Sequence, residues 1–302
     1  MALRLLAVDG TSLAHRAWHS TRSDAGDGAD LEAVLGAVAS MLASTWRHGP
    51  YDVAMLAFDH PVNRRRELFP AYKAQRAPTE PGLRAVLDAL PGVLTEAGVT
   101  VRVQHGAEAD DLLACATDAA VARGWTTDLL SSDRDLTALV GPTVRLLRPR
   151  RRFAELAVED VAAVESAYGV PPHQYRDLAA LRGDPSDGLE GAPGIGPSTA
   201  ARLLRAYGDV AGVYRALPDL PPRVAAGLRR GREAVERNLL LMAPLPHLEV
   251  DLDAAHGAAV PLLGLAALLE ARGATAPATR LRHALSSAAP GGPLPPPPDG
   301  PD

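Results

Sequence analysis

The chain has 302 residues, 47% hydrophobic and 22% charged, with a formal net charge of −5 and one cysteine, Cys115. That length supports one large domain or two smaller ones, each with a sizeable core. No run of about 20 apolar residues offers a membrane span, one cysteine excludes an internal disulfide, and residues 1–9 are too short and too soon charged for a signal peptide, so a cytoplasmic protein is expected.

Residues 3–8 are apolar and end at Asp9-Gly10, which reads as a buried parallel strand with its carboxyl end at Asp9. Helical periodicity follows over residues 31–47, through Leu31, Val34, Leu35, Val38, Leu42 and Trp46. A second buried strand, 53–58, ends at Asp59; the basic stretch 63–82 then breaks at Pro78 and Pro81. Residues 83–97 read as a helix kinked or broken at Pro91, and 99–103 as a third strand. A helix over 108–123, strands at 127–130 and 144–147, and the alternation as a whole predict a parallel α/β sheet. Beyond about residue 155 the pattern turns helical, over 158–168, 172–181, 198–206 and 224–241. The expected organisation is an α/β core over 1–160 with a basic excursion at 60–82, a helical subdomain over 161–285, and a Pro-rich, disordered tail over 286–302.

Ligands of open α/β sheets collect beyond the carboxyl ends of the strands. Asp9 and Asp59 stand just past the first two strands. The third leads to Glu108, Asp110 and Asp111, more acids than compensation of a helix dipole explains. The fourth leads to Asp133 and Asp135, and Asp184 and Asp187 follow in the helical half. Nine like charges at one edge repel unless cations neutralise them. Hard oxygen ligands suit two Mg²⁺ or Mn²⁺ ions, and no Cys/His set has zinc spacing. Such a pair suits phosphodiester hydrolysis, one ion acidifying the attacking water and the other stabilising the leaving oxygen. The net charge does not oppose a nucleic-acid substrate: without those nine acids, 27 acids face 31 basic residues. Arginines cluster at 64–66, at 148 and 150–152, and at 229, 230 and 232.

These stretches resemble the 5′ nuclease family: the 5′–3′ exonuclease domain of bacterial DNA polymerase I, phage 5′ exonucleases and eukaryotic flap endonucleases. The residues that carry the resemblance are Leu6-Ala7-Val8-Asp9-Gly10, Ala57-Phe58-Asp59, Tyr72-Lys73-Ala74-Gln75-Arg76, Glu108-Ala109-Asp110-Asp111-Leu112, Ser132-Asp133-Arg134-Asp135-Leu136, Leu181-Arg182-Gly183-Asp184-Pro185-Ser186-Asp187 and Gly191 to Ala200. Order and spacing match over roughly residues 3–285. The resemblance implies a PIN-like parallel-sheet nuclease core with a helical arch and a helix–hairpin–helix-type subdomain. It places all nine acids on metal-site positions. Residues 64–76 match the arch met by the 5′ single strand, with Lys73 and Arg76 as the catalytic basic pair and Arg65 and Tyr72 as DNA contacts. Lys73 is the only lysine among 31 basic residues, and an ammonium is a point charge that a guanidinium does not copy. Tyr72 could stack on a base. Gly194, Gly196, Ser198 and Thr199 resemble the hairpin that grips duplex DNA through backbone N–H groups, with K⁺ on backbone carbonyls.

The implied activity is 5′–3′ exonuclease or 5′-flap endonuclease cleavage of DNA in replication and repair. No polymerase domain follows, so the resemblance implies a stand-alone monomeric member beside a separate DNA polymerase I. Several positions depart from the family pattern: Arg64 replaces an aromatic residue, the stretch 59–72 is one residue short, Gly188 replaces asparagine, Ser198 replaces a basic residue, and residues 24–30 lengthen the first loop with acids. Two other readings compete. A PIN-like ribonuclease would be shorter and lack arch and hairpin; a catalytically silent DNA-binding relative would have lost part of the acid set.

Overall fold

The structure, a computed structural model, describes residues 2–21, 30–150 and 155–287. Most of the acidic insert (24–29), Arg151, Arg152 and residues 288–302 of the Pro-rich tail lie outside the described residues.

Six strands form the main sheet: β1 (Arg4–Asp9), β2 (Val53–Phe58), β3 (Val101–Val103), β4 (Thr126–Leu130), β5 (Val144–Pro149) and β6 (Leu156–Glu159), in the order β3-β2-β1-β4-β5-β6. The first five are parallel and β6 is antiparallel to β5. Val8 pairs with Leu56 on one side and Leu130 on the other, so the ends of β1, β2 and β4 are level. β1 between Arg4 and Asp9, and β2 throughout, are apolar because both faces are covered. Leu6, Val8, Leu56, Phe58 and Leu130 face α1 (Gly10–Thr21) and α2 (Leu31–Trp46), while Leu5, Ala7, Met55, Ala57 and Leu129 face away, toward the helix after β3.

The five expected strands are present; β6 and α1 were not expected. Residues 158–168 read as one helix in sequence, but the structure splits them at Asp160, whose carboxylate caps the following helix by accepting from Ala163 N at 2.8 Å. All four β6 residues are half-buried, as an edge strand's are, so no continuous apolar run marks them. After β2 come α3 (Arg64–Leu68), α4 (Pro81–Glu96) and, beyond β3, α5 (Ala109–Ala122). The break expected at Pro91 is absent: α4 runs through it, and the missing N–H merely leaves one carbonyl without its helical donor.

The second half contributes α6 (Val161–Tyr168), α7 (Tyr175–Arg182), a short hairpin of β7 (Gly183–Asp184) and β8 (Leu189–Glu190), α8 (Pro197–Tyr207), α9 (Val210–Arg215) and α10 (Pro222–Met242). Tyr175, Leu178, Leu181, Leu204, Val213, Leu228 and Val235 form its own core. The last two helices, α11 (Ala259–Ala271) and α12 (Thr275–Ser287), leave this subdomain, contrary to the expected unit over 161–285. Leu262, Leu265, Leu269 and Leu281 join Val34, Leu35, Val38 and Leu42 in the core of the first half. Arg272 pins α2 by an ion pair to Glu32 at 2.7 Å. The reason lies in α11, which is apolar on most of its circumference and finds its cover on two neighbours at once.

Candidate active site

The carboxyl ends of β1, β2 and β4 open into a cleft of about 860 Å³. Its wall carries Asp9, Asp59, Glu108, Asp110, Asp133, Asp135, Asp184 and Asp187, eight of the nine acids singled out in the sequence. The first six arrive from strand ends and the helix after β3; the β7–β8 hairpin delivers Asp184 and Asp187 from the helical half.

Most of these carboxylates spend one oxygen on local anchoring. Asp9 accepts from Ser12 N at 2.8 Å in the first turn of α1, and its other oxygen accepts from Ser131 Oγ at 2.6 Å. The helix can start immediately after Asp9 because residue 10 is glycine: a Cβ there would lie 2.4 Å from Phe58 Cζ. Asp59 accepts from Ala109 N at 2.7 Å, at the start of α5. Asp133 accepts from Asp135 N at 2.9 Å, and Asp184 from Ser186 N at 2.9 Å and Ser186 Oγ at 2.6 Å. Asp110 differs: its Oδ1 is buried and has no hydrogen-bond partner among the described residues.

The electrostatics follow from crowding. Burial, then Asp59, pushes Asp9 up to about 7. Burial, then Asp133, Asp187 and Asp184, pushes Asp135 up to about 7. Asp59 opens to solvent on the cleft side yet is hemmed in by protein; lost solvation first, then Glu108 and Asp133, raise it. Asp110 is raised well above the carboxylate range by burial and by Glu108. Asp187 is raised mainly by burial, against the pull of Lys73 and Arg76. Glu108 is the exception: burial would raise it, but Lys73 and Arg65 hold it below its ordinary value.

The arch forms one wall. It consists of α3 and a run of turns over 69–76. Lys73 lines the cleft and its Nζ meets Glu108 Oε1 at 2.6 Å; its backbone sits at φ 55°, and its N–H donates to Asp187 O at 2.9 Å. Burial would weaken the ammonium, but Glu108, Asp187 and Asp110 raise its pKa above the ordinary lysine value. Arg76 lines the same cleft and pairs with Asp187 at 2.7 Å.

Three expected site residues lie behind the cleft wall instead. Asp111 is fully buried, accepts two bonds from Arg65 at 2.8 and 2.7 Å, and takes backbone N–H groups from Leu245 and Glu108. Arg65 is 5% exposed and also donates to the carbonyls of Leu241 and Ala243 at the end of α10. Tyr72 is 3% exposed and its hydroxyl donates to Glu108 at 3.1 Å, which leaves no ring face for a base. The hairpin residues lie away from the cleft, Gly194 and Gly196 between β8 and α8 and Ser198 and Thr199 in the first turn of α8, with Thr199 half-buried and the others exposed.

Sequence reasoning missed His15 and His19, which line the cleft from α1. Burial, His19 and Arg76 lower the pKa of His15. Their spacing of four on a helix that begins directly after Asp9 was the available signal. It also missed Ser131, which holds Asp9.

Residues 4–169 match the family described as the 5′–3′ exonuclease N-terminal resolvase-like domain, and residues 170–259 match its C-terminal SAM fold. DNA polymerase I of Mycobacterium tuberculosis is 37% identical over 193 residues, which cover 62% of this chain and 21% of that protein. The thermostable DNA polymerase I of Thermus thermophilus is 33% identical over 190 residues, 62% of this chain and 22% of that one. The chain thus spans about a fifth of the length of these relatives. Among solved structures, the T5 D15 protein crystallised with metal ions superimposes with a TM-score of 0.65 at 19% identity, over 93% of this chain and 99% of that one. The catalytic core of Rad2 in complex with DNA substrate gives 0.57 at 14% identity, over 95% and 91%. These likenesses show the same fold: a PIN-like parallel-sheet core with a helical C-terminal subdomain.

Proposed function

We propose that this chain, which belongs to the 5′–3′ exonuclease family, is a structure-specific 5′ nuclease that hydrolyses DNA phosphodiester bonds with divalent cations in its acid cleft. The observation that carries this reading is eight carboxylates lining one cleft with too little positive charge to balance them, so that five have raised pKa values.

The residues fit hard cations. Asp110 Oδ1 is buried without a donor, the state of an atom that a cation would satisfy. No three His, Cys, Asp or Glu side chains among the described residues converge tightly enough to enclose an ion alone. Two Mg²⁺ or Mn²⁺ ions, which keep several waters and share phosphate oxygens, would each need only a few of the cleft carboxylates. Bound there, such cations acidify an attacking water and offset charge on the leaving oxygen. The T5 5′-exonuclease with bound zinc ions and the T5 D15 flap endonuclease in complex with DNA and metal ions share this fold, which supports the same reading.

The chain's own residues divide the remaining tasks. Lys73, kept protonated by its acid neighbours, presents a point charge to the scissile phosphate, and Arg76 adds a second beside Asp187. Asp111 is assigned to holding Arg65 rather than an ion, because both its oxygens are already engaged. Arg65 in turn fixes the base of the arch to α5 and α10, and Tyr72 braces Glu108. Gly194, Gly196, Ser198 and Thr199 would offer N–H groups to duplex phosphates, with K⁺ on neighbouring carbonyls. The relatives carry their matching region inside a polymerase chain, and we propose that this monomeric nuclease serves a separate DNA polymerase I in the cytoplasm during replication and repair. No helix among the described residues is long and apolar enough to cross a membrane.

The test is a 5′-flap duplex with Mg²⁺, with the cut mapped and single-stranded RNA as competitor. Cleavage at the flap that stops in EDTA is expected. Full activity in EDTA, or preferential cleavage of the RNA, would overturn the proposal.

A further inference from the structure

We propose that Gln75 is a positioning residue that latches the end of the arch onto the loop carrying Asp184 and Asp187, in space left by Gly188. This deepens the reading of the cleft as a cation site and rests on it.

The Gln75 amide donates from Nε2 to two successive carbonyls, Pro185 O at 3.0 Å and Ser186 O at 3.1 Å. Its neighbours reach the same loop: Lys73 N donates to Asp187 O at 2.9 Å and Arg76 Nε to Ser186 O at 3.1 Å. Lys73 and Arg76 line the cleft and also carry charge into it; Gln75 does not line it and is neutral, so its role is confined to the loop backbone. That backbone matters because Ser186 N and Oγ hold the Asp184 carboxylate at 2.9 and 2.6 Å, and Asp187 is the next residue along. A shift of the Ser186 peptide therefore moves two cleft acids together.

Gly188 supplies the complementary half. It sits at φ +70°, and a Cβ there would lie 2.5 Å from Gln75 Oε1 and 3.2 Å from Ala71 O. Asparagine accepts this left-handed backbone, so the obstacle to a side chain at 188 is the Gln75 head group first and the arch carbonyl second. Latch and gap occupy the same few ångströms.

The experiment titrates Mn²⁺ into the full chain without DNA, reading free Mn²⁺ by electron paramagnetic resonance, for wild type, Gln75→Ala, Gly188→Asn and the double variant. Gln75→Ala should weaken the more weakly held Mn²⁺ by about three- to tenfold, the worth of one or two lost hydrogen bonds. Gly188→Asn should weaken it similarly on its own and add little once Gln75 is alanine, because the clash is gone. Unfolding midpoints measured without metal separate loop positioning from general damage. Mn²⁺ affinity within about twofold of wild type in Gln75→Ala, or two independent losses that simply multiply in the double variant, would overturn the latch. The nuclease reading fails separately: wild type that binds Mn²⁺ yet leaves a 5′-flap duplex uncut removes the reaction but not the latch. Wild type that binds no Mn²⁺ removes both.

Discussion

The two ends of the same sheet treat negative charge in opposite ways. Toward the amino ends, Asp128, the middle residue of β4, is 2% exposed and meets Arg4 at 2.6 Å, Arg145 at 2.9 Å and the Tyr51 hydroxyl at 2.8 Å. One carboxylate there has two guanidinium groups and a phenol. At the carboxyl ends eight carboxylates meet Lys73 and Arg76 in the cleft and, through Glu108, Arg65 from behind its wall. A buried charge with all its partners supplied by the chain holds the fold together, and removing a partner is what does harm. A set of charges without partners stores unfavourable energy and persists where something from outside completes it. Asp110 and Asp111 repeat the contrast at adjacent positions, one with an orphaned oxygen and the other fully bonded.

The comparison can be broken most directly at Asp110. Asp110→Ala should lower flap cleavage by at least about 10³, several kcal/mol of lost cation-assisted stabilisation. It should leave DNA binding in Ca²⁺ intact and the metal-free unfolding midpoint unchanged or higher. A marked loss of stability would place Asp110 with the fold-holding acids. Lys73→Ala should slow single-turnover cleavage by about 10²–10³, with a much smaller change in affinity, and Lys73→Arg should recover only part. An unchanged single-turnover rate would remove Lys73 from the chemistry. At the other end, Asp128→Ala should cost about 3 kcal/mol in urea unfolding, the low end for a broken buried pair because both arginines still reach water. Turnover per folded molecule should stay as it was.

The pH dependence sharpens the contrast further. Asp9 and Asp135 are pushed up to about 7, so between about 4 and 7 the native state holds more protons than the unfolded chain. Stability of the metal-free protein should therefore fall as pH rises through that window, and Mg²⁺ should offset the fall. Melting curves at pH 5.5 and 8, with and without Mg²⁺, check the sign. A metal-free protein that gains stability toward pH 8 would contradict it. The smallest effect is expected for Tyr72→Phe, which loses one hydrogen bond to Glu108 and should cost about 1 kcal/mol with cleavage changed only a few-fold. A large rise in the dissociation constant for flap DNA would restore the stacking role.

The ends of β1 and β2 were legible because strands covered on both faces are apolar runs, and these two stop visibly at Asp9 and Asp59. The phase of α5 was harder. Asp110 and Asp111 are adjacent, about 100° apart around a helix, and which one faced the cleft depended on Arg65, a residue hidden among three arginines in a row. The same triplet suggested a DNA-binding surface, yet its middle member is an interior residue. Gln75 stood within the Tyr72–Arg76 stretch but drew no role of its own from the sequence, since a neutral amide on a turn has no spacing rule. The destination of α11 and α12 was likewise set by a surface on α2 more than 200 residues earlier, which local periodicity cannot reveal.

That destination orders events in time. The chain leaves the first half's core at α7, returns to one face of the sheet at Leu252 and Ala255, and covers α2 on the other face only with Ala258 and the two helices that follow. A ribosome delivers residues one after another, and domains fold as their last required segment emerges. The sheet and α2 are therefore made early but stay partly uncovered until residues 259–287 arrive. The helical subdomain, whose core draws on residues 170–235 together with a few neighbours, is complete before that. Once residues up to 257 have emerged from the ribosome, the helical subdomain can be finished beside an unfinished sheet, with Val34, Leu35 and Leu42 open to chaperones. The acid cleft would acquire its fixed geometry last, when the whole chain is present.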